Sequence, residues 1–113
     1  MVPLKPADLF VLLVLADGDR HGYGIMKDVE RQSEGAVTLE LGSLYRLIAR
    51  LMDEGHLEDA PARAGSSDED ARRRYYRLTK AGRSALRLEL QRLRSVIELG
   101  RTKGLVGRAD GRT

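Results

Sequence analysis

Leu9 to Ala16 is an unbroken run of eight apolar residues, LFVLLVLA. Pro6 pre-sets the backbone angle of a first helical turn, so Ala7 to Ala16 reads as a short helix. Such a helix has no polar face and must be covered on more than one side. A bilayer is not the cover, because spanning one takes about 20 apolar residues. No basic segment precedes the run to make it a secretory signal. The cover is therefore protein. A chain of 113 residues builds one domain with a modest core. A second subunit is a reasonable source of the remaining cover.

The rest of the chain reads as alternating helix and turn signals. Asp17-Gly18-Asp19 is a turn. A second helix is expected from Gly22 to Gln32, with Ile25, Met26 and Val29 as its apolar stripe. A third runs from Leu41 or Gly42 to Glu54 and stops at Gly55. Leu41, Leu44, Leu47, Ile48, Leu51 and Met52 share one of its faces. Gly42, Arg46, Ala49, Arg50 and Asp53 lie opposite. His56 to Ala60 and Arg73 to Leu78 read as two strands of a hairpin, with Pro61 to Ala71 as a long flexible tip. Alternation puts Tyr76 and Leu78 on one face, Tyr75 and Arg77 on the other. Thr79 can cap a last helix from Lys80 to about Leu99. There Leu86, Leu90, Leu93 and Ile97 follow coiled-coil spacing. The tail from Gly100 reads as frayed or disordered.

Three helices, a hairpin and a terminal helix make a mainly α fold with a small β-hairpin. Helices two and three plus the hairpin form a winged helix-turn-helix, whose third helix presents its polar face to a DNA major groove. The domain expectation is residues 1–79 for the winged unit, 80–100 for a dimerisation helix and 101–113 for a disordered tail. Charge distribution agrees with a polyanion partner. Residues 1–60 carry 6 basic and 11 acidic side chains, whereas residues 61–113 carry 14 basic and 6 acidic. The alternative for a basic half is a solvated helix surface.

Enzymatic chemistry finds little footing. There are no cysteines, which removes disulfides, thiolate metal sites and a thiol nucleophile, and fits a reducing cytoplasm. No nucleophile elbow or phosphate loop occurs. A metal site built on His21 and His56 is the weaker reading; His21 is better placed to pack or cap at the start of helix two. No cofactor and no metal are expected.

Four motifs in order resemble the PadR family of bacterial transcriptional regulators, in the short form with a single C-terminal helix. They are His21-Gly22-Tyr23-Gly24, Gly42-Ser43-Leu44-Tyr45, Leu51-x-x-Glu54-Gly55-x-Leu57-Glu58 and Arg73-Arg74-Tyr75-Tyr76-Arg77-Leu78-Thr79-x-Ala81-Gly82. The resemblance implies a cytoplasmic homodimer on a near-palindromic operator. It implies repression, often relieved by a small aromatic or drug-like effector, and a terminal helix that contacts the partner's first helix. Two departures stand out: Arg46 follows the Leu-Tyr pair where the family often has Pro, and the wing tip carries the acids Asp68-Glu69-Asp70.

The residues expected at DNA are Tyr23 and Lys27 on helix two, Thr38, Gly42, Ser43, Tyr45, Arg46 and Arg50 on or before helix three, and Arg72, Arg73 and Arg74 at the wing base. Arginine forks can take guanine O6 and N7 or phosphate. Ser43 and Thr38 can donate to phosphates at a helix N-terminus, although Thr38 can equally be the cap. Tyr45 sits between core and groove. Arg72 to Arg74 can equally pair with the acids of the tip. The expected dimer surface is Leu9, Phe10, Leu12 and Leu13 against Leu86, Leu90, Leu93 and Ile97. The competing function is a winged-helix protein-interaction module without specific DNA binding.

Overall fold

The computed structural model describes residues 3–62 and 72–107. Helix α1 spans Pro6–Ala16, α2 Gly22–Gln32, α3 Leu41–Asp53 and α4 Lys80–Thr102. Strands β1 (Arg20–His21), β2 (Leu57–Ala60) and β3 (Tyr75–Leu78) form one antiparallel sheet in the order β1-β3-β2. This is a winged helix-turn-helix with a long helix appended. The wing tip from residue 63 to 71, including Asp68-Glu69-Asp70, lies outside the described residues.

The core follows the apolar periodicity. Val11, Leu12, Val14 and Leu15 of α1 meet Ile25 and Val29 of α2 and Leu44, Ile48 and Leu51 of α3. Leu57 and Tyr76 close the core from the sheet and Leu86 from α4. Each fully buried aliphatic side chain contributes about 1.5–3 kcal/mol of transfer free energy. Leu12 and Leu86, expected on the dimer face, are buried inside the subunit instead. Leu12 cannot face out because α1 is wrapped by elements of its own chain. Leu86 sits at the start of α4, where that helix still lies on the core. Leu41, expected on the core face of α3, is exposed, because it precedes the first turn that α2 covers.

The two-residue strand β1 is new relative to the sequence reading, and it alters the wing. Its pairing with β3, Arg20 opposite Tyr76 and His21 opposite Tyr75, places a ring edge over Tyr75. The His21 and Tyr75 centroids are 5.4 Å apart at 78°. Both tyrosines are therefore buried, although alternation points them to opposite faces. The strands also begin later than expected, at Leu57 and Tyr75.

Helix α4 is pinned at its start. Thr79 Oγ1 accepts the Gly82 N–H at 2.9 Å and donates to the Gly55 carbonyl at 2.6 Å. Gly82 permits a close approach: a Cβ there would run into the His56 carbonyl oxygen. Further along, Glu89 is buried and binds Arg92 through both oxygens while accepting the Leu4 N–H at 3.0 Å. Beyond it the helix leaves the core, and Leu90, Val96, Ile97 and Leu99 are exposed. Gly100 does not end the helix; it continues to Thr102, and the Leu105 N–H returns to the Gly100 carbonyl. The projecting helix makes the molecule 53 × 27 × 25 Å. No helix among the described residues is long and apolar enough to cross a membrane.

Candidate nucleic-acid interface

Helix α3 begins without a side-chain cap. Its N-cap residue is Glu40, whose side chain makes no capping hydrogen bond. Thr38 is not the cap; it lies exposed two residues earlier. The first-turn N–H groups of an α-helix have no intrahelical partner, and they carry the positive end of the helix dipole. Gly42, on that turn, is exposed. Ser43 Oγ accepts from Arg46 Nη2 at 3.2 Å, so the Arg46 side chain lies back toward this end of the helix.

A hollow of about 270 Å³ beside this terminus is lined by His21, Gly22, Tyr23, Leu41, Tyr45, Arg73 and Arg74. It gathers side chains from α2, α3 and the wing base that are up to 53 positions apart in sequence. Gly22 makes it possible. A Cβ at that position would fall 2.6 Å from the Tyr45 hydroxyl oxygen, so only glycine lets the ring lie against the start of α2. Tyr23 is half exposed, with Lys27 Nζ 5.7 Å and Arg73 Cζ 5.9 Å from its ring centroid. Such cation–π pairs draw the cations over the ring face. Arg73 also lies 3.0 Å from His21 Nε2. His21 caps α2 as expected, its Nδ1 accepting the Gly24 N–H at 3.1 Å.

The arginines differ in what holds them. Arg74 binds Asp59 through Nε and, at 3.0 Å, through Nη2, and it lies over the Tyr76 ring. Hydrogen bonding to Arg74 holds the Asp59 carboxyl below its usual range, and that same bond raises the Arg74 guanidinium. Among the described residues, the acid that pairs with this wing-base arginine is thus Asp59 of β2. Arg50 turns away from the α3 terminus. Its Nη2 donates to the buried Asp8 of α1 at 2.7 Å and its Nη1 to Glu54 at 3.1 Å. The Asp8 hydrogen bond is the first cause that raises the Arg50 guanidinium. Arg72 is exposed. Sequence reading missed His21, Gly22 and Leu41 as members of this surface. His21 and Gly22 carried a signal in the His-Gly-Tyr-Gly motif; Leu41 carried none, since its periodicity matches the core.

Among the described residues no cluster of three or more histidine and carboxylate side chains could hold a metal ion. The chemistry of the surface is that of hydrogen-bond donors, aromatic rings and positive charge around a helix end, which suits a phosphate backbone and base edges.

Residues 11–88 match the model of the transcriptional regulator PadR-like family. Among solved structures, the fold is similar to a PadR family transcription regulator from Clostridium difficile, with TM-score 0.71 and 23% identity over 87% of this chain and 97% of that one. It is also similar to RosR from H. salinarum, with TM-score 0.64 and 26% identity over 83% and 77% of the two chains. Bacillus subtilis PadR in complex with operator DNA gives TM-score 0.62 and 21% identity, covering 76% of this chain and 47% of that one.

Proposed function

The chain belongs to the PadR-like family of transcriptional regulators, and from that premise we propose that it is a homodimeric repressor that binds a near-palindromic operator and responds to a small-molecule effector. The observation that carries the reading is the convergence of Tyr23, Tyr45, Arg73 and Arg74 on one hollow beside the uncapped start of α3. In this reading α3 enters the major groove. Arg46 reads a base edge, as an arginine fork reads guanine. Thr38, Gly42 and Ser43 meet phosphates at the helix end. Tyr23, Lys27 and the Tyr45 hydroxyl contact the backbone alongside. Exposed Leu41 offers an apolar surface of the kind that meets a thymine methyl.

Arg72 and Arg73 supply wing-base charge to phosphate or the minor groove. Arg74 stays on Asp59 and shapes the hollow rather than supplying a free charge. Arg50 positions α3 against α1 rather than touching DNA. Dimerisation uses the surfaces that remain open after the subunit folds: Leu90, Leu93 and Ile97 of α4 with Leu9, Phe10 and Leu13 of α1. A two-fold pair of recognition helices reads half-sites about 34–36 Å apart. The fold neighbour bound to operator DNA supports the DNA partner, and the exposed stripe of α4 supports the dimer.

A gel-shift titration with the DNA upstream of the chain's own gene, run against random competitor, tests the reading. Specific retardation at least tenfold tighter than competitor is expected. Retardation equal on both, or none, would favour the protein-interaction module.

A further inference from the structure

The open start of α3 carries one side chain that a phosphate-facing surface does not explain. Glu40 is exposed at the N-cap position, and its side chain accepts no hydrogen bond from the helix. It makes no ion pair among the described residues either. Phosphate repels such an acid, and the positive end of the helix dipole offsets only part of that repulsion. A carboxylate only accepts hydrogen bonds, so what it can take from DNA is an N–H. In the major groove those belong to the amino groups of cytosine and adenine. Beside Glu40 stands Leu41, which is 41% exposed and lines the hollow with Tyr23 and Tyr45. The first residues of a recognition helix are the ones that reach base edges. Gly42 follows, with no side chain to hold this end of the helix away from a base.

We propose that Glu40 and Leu41 together read 5-methylcytosine, so that methylation of one cytosine in each half-site strengthens binding. The inference rests on the reading of α3 as the recognition helix. Methylated cytosine shows the groove an amino group at C4 and a methyl group at the adjacent C5. Consecutive Cα atoms lie about 3.8 Å apart, so neighbouring side chains can meet neighbouring groups of one base. Glu40 accepts from the N4 amino group, and Leu41 covers the methyl. Leu41 alone does not tell this base from thymine, which carries the same methyl. Glu40 does, because thymine presents O4 in place of the amino group and sets acceptor against acceptor. Adenine satisfies Glu40 but offers no methyl; its N7 acceptor faces Leu41 and loses water without gaining a partner. Unmethylated cytosine satisfies Glu40 and leaves Leu41 without its contact. Of these four bases, 5-methylcytosine alone suits both side chains.

The test is binding-site selection with the full-length protein from a random duplex pool. The pool is amplified between rounds with cytosine and 5-methylcytosine triphosphates in equal amounts. Sequencing the retained duplexes with and without bisulfite identifies the base at each position. One position of each half-site is expected to favour 5-methylcytosine over cytosine about fourfold, the effect of one buried methyl group. Gel shifts on the selected duplex, varied only at that base pair, then separate the two side chains. Thymine there should bind about tenfold more weakly than 5-methylcytosine. Leu41→Ala should bind the cytosine and 5-methylcytosine duplexes alike. Glu40→Ala should keep the gain from methylation and lose the preference over thymine. Both side chains are exposed, so neither variant empties the core. A selected motif indifferent to methylation, a methyl gain that survives Leu41→Ala, or a thymine penalty that survives Glu40→Ala would each overturn the proposal and leave the operator reading standing. Failure to select any motif would overturn both.

Discussion

Arg46 and Arg50 lie about one turn apart on α3, yet their guanidinium groups have different neighbours. Arg46 reaches back to Ser43 at the open end of the helix; Arg50 reaches 42 positions along the chain to Asp8. Periodicity places both on the polar face and cannot separate them, because the partner of Arg50 is a tertiary contact. The same limit applies to Arg74, whose acid among the described residues is Asp59 of β2. The difference has measurable consequences. Arg46→Ala should cost about 1–3 kcal/mol at one base pair of each half-site and relax specificity there. Arg46→Lys should restore it only in part, since lysine lacks the planar fork. A binding-site selection experiment reads both; equal losses on specific and random DNA would make Arg46 a phosphate contact. Arg50→Met leaves the buried Asp8 carboxylate without its cation and should lower folding stability by about 1–3 kcal/mol. Urea denaturation measures that. The slope of DNA affinity against salt should stay as in wild type, because no phosphate contact is lost.

At the scale of elements, the helices and both hairpin strands were legible, and the two-residue strand β1 was not. A 3.6-residue period declares itself over the 11 or 13 residues of α2 and α3. Strand β1 has two residues, too few to alternate, and it exists because β3 offers it an edge. The end of α4 was misread at Gly100 because glycine ordinarily stops a helix; here the returning Leu105 N–H satisfies its carbonyl and the last turn closes regardless. The dimer stripe was legible as a pattern but not as a surface. Leu12 and Leu86 satisfy the period and are taken by the subunit's own core, which only the fold reveals. Leu90 is exposed on α4 and separates the two possibilities. Leu90→Asp should leave the monomer fold intact, produce monomers at micromolar concentration, and abolish specific DNA binding with Arg46 in place. Analytical ultracentrifugation and a gel shift on one sample read both, and a mutant that stays dimeric removes the stripe from the interface. Glu89 gives the same helix a pH signature. Its hydrogen bonds with Arg92, and then the Leu4 N–H, hold its carboxyl below the ordinary value of 4.5. A depressed carboxyl contributes stability that is present above its unfolded value and lost as pH falls through its folded one. Thermal melts between about pH 6 and pH 3 should therefore show a smaller acid loss in Glu89→Gln than in wild type.

For the whole molecule, the uneven charge means that association with DNA depends on which half of the chain meets it. Binding carried by phosphate contacts weakens linearly in the logarithm of salt concentration. Arg72→Ala should flatten that slope by about one unit, whereas Arg74→Ala should flatten it less, because Asp59 already neutralises that side chain. Equal slopes in wild type and Arg72→Ala would remove the wing base from the interface. The fold class was legible from sequence, as was α3 as an amphipathic helix, since both are written in local pattern. The hollow was not, since it is assembled from distant residues. Finally, α4 carries Leu90, Val96, Ile97 and Leu99 past the edge of its own subunit. If a second copy is what covers them, the regulator's abundance enters its own output. At concentrations below the dimer dissociation constant, the species that occupies the operator grows with the square of the amount of chain made. A twofold rise in synthesis then gives nearly a fourfold rise in dimer. A cell could thus turn a modest change in expression of this one gene into a sharp change in the genes it controls.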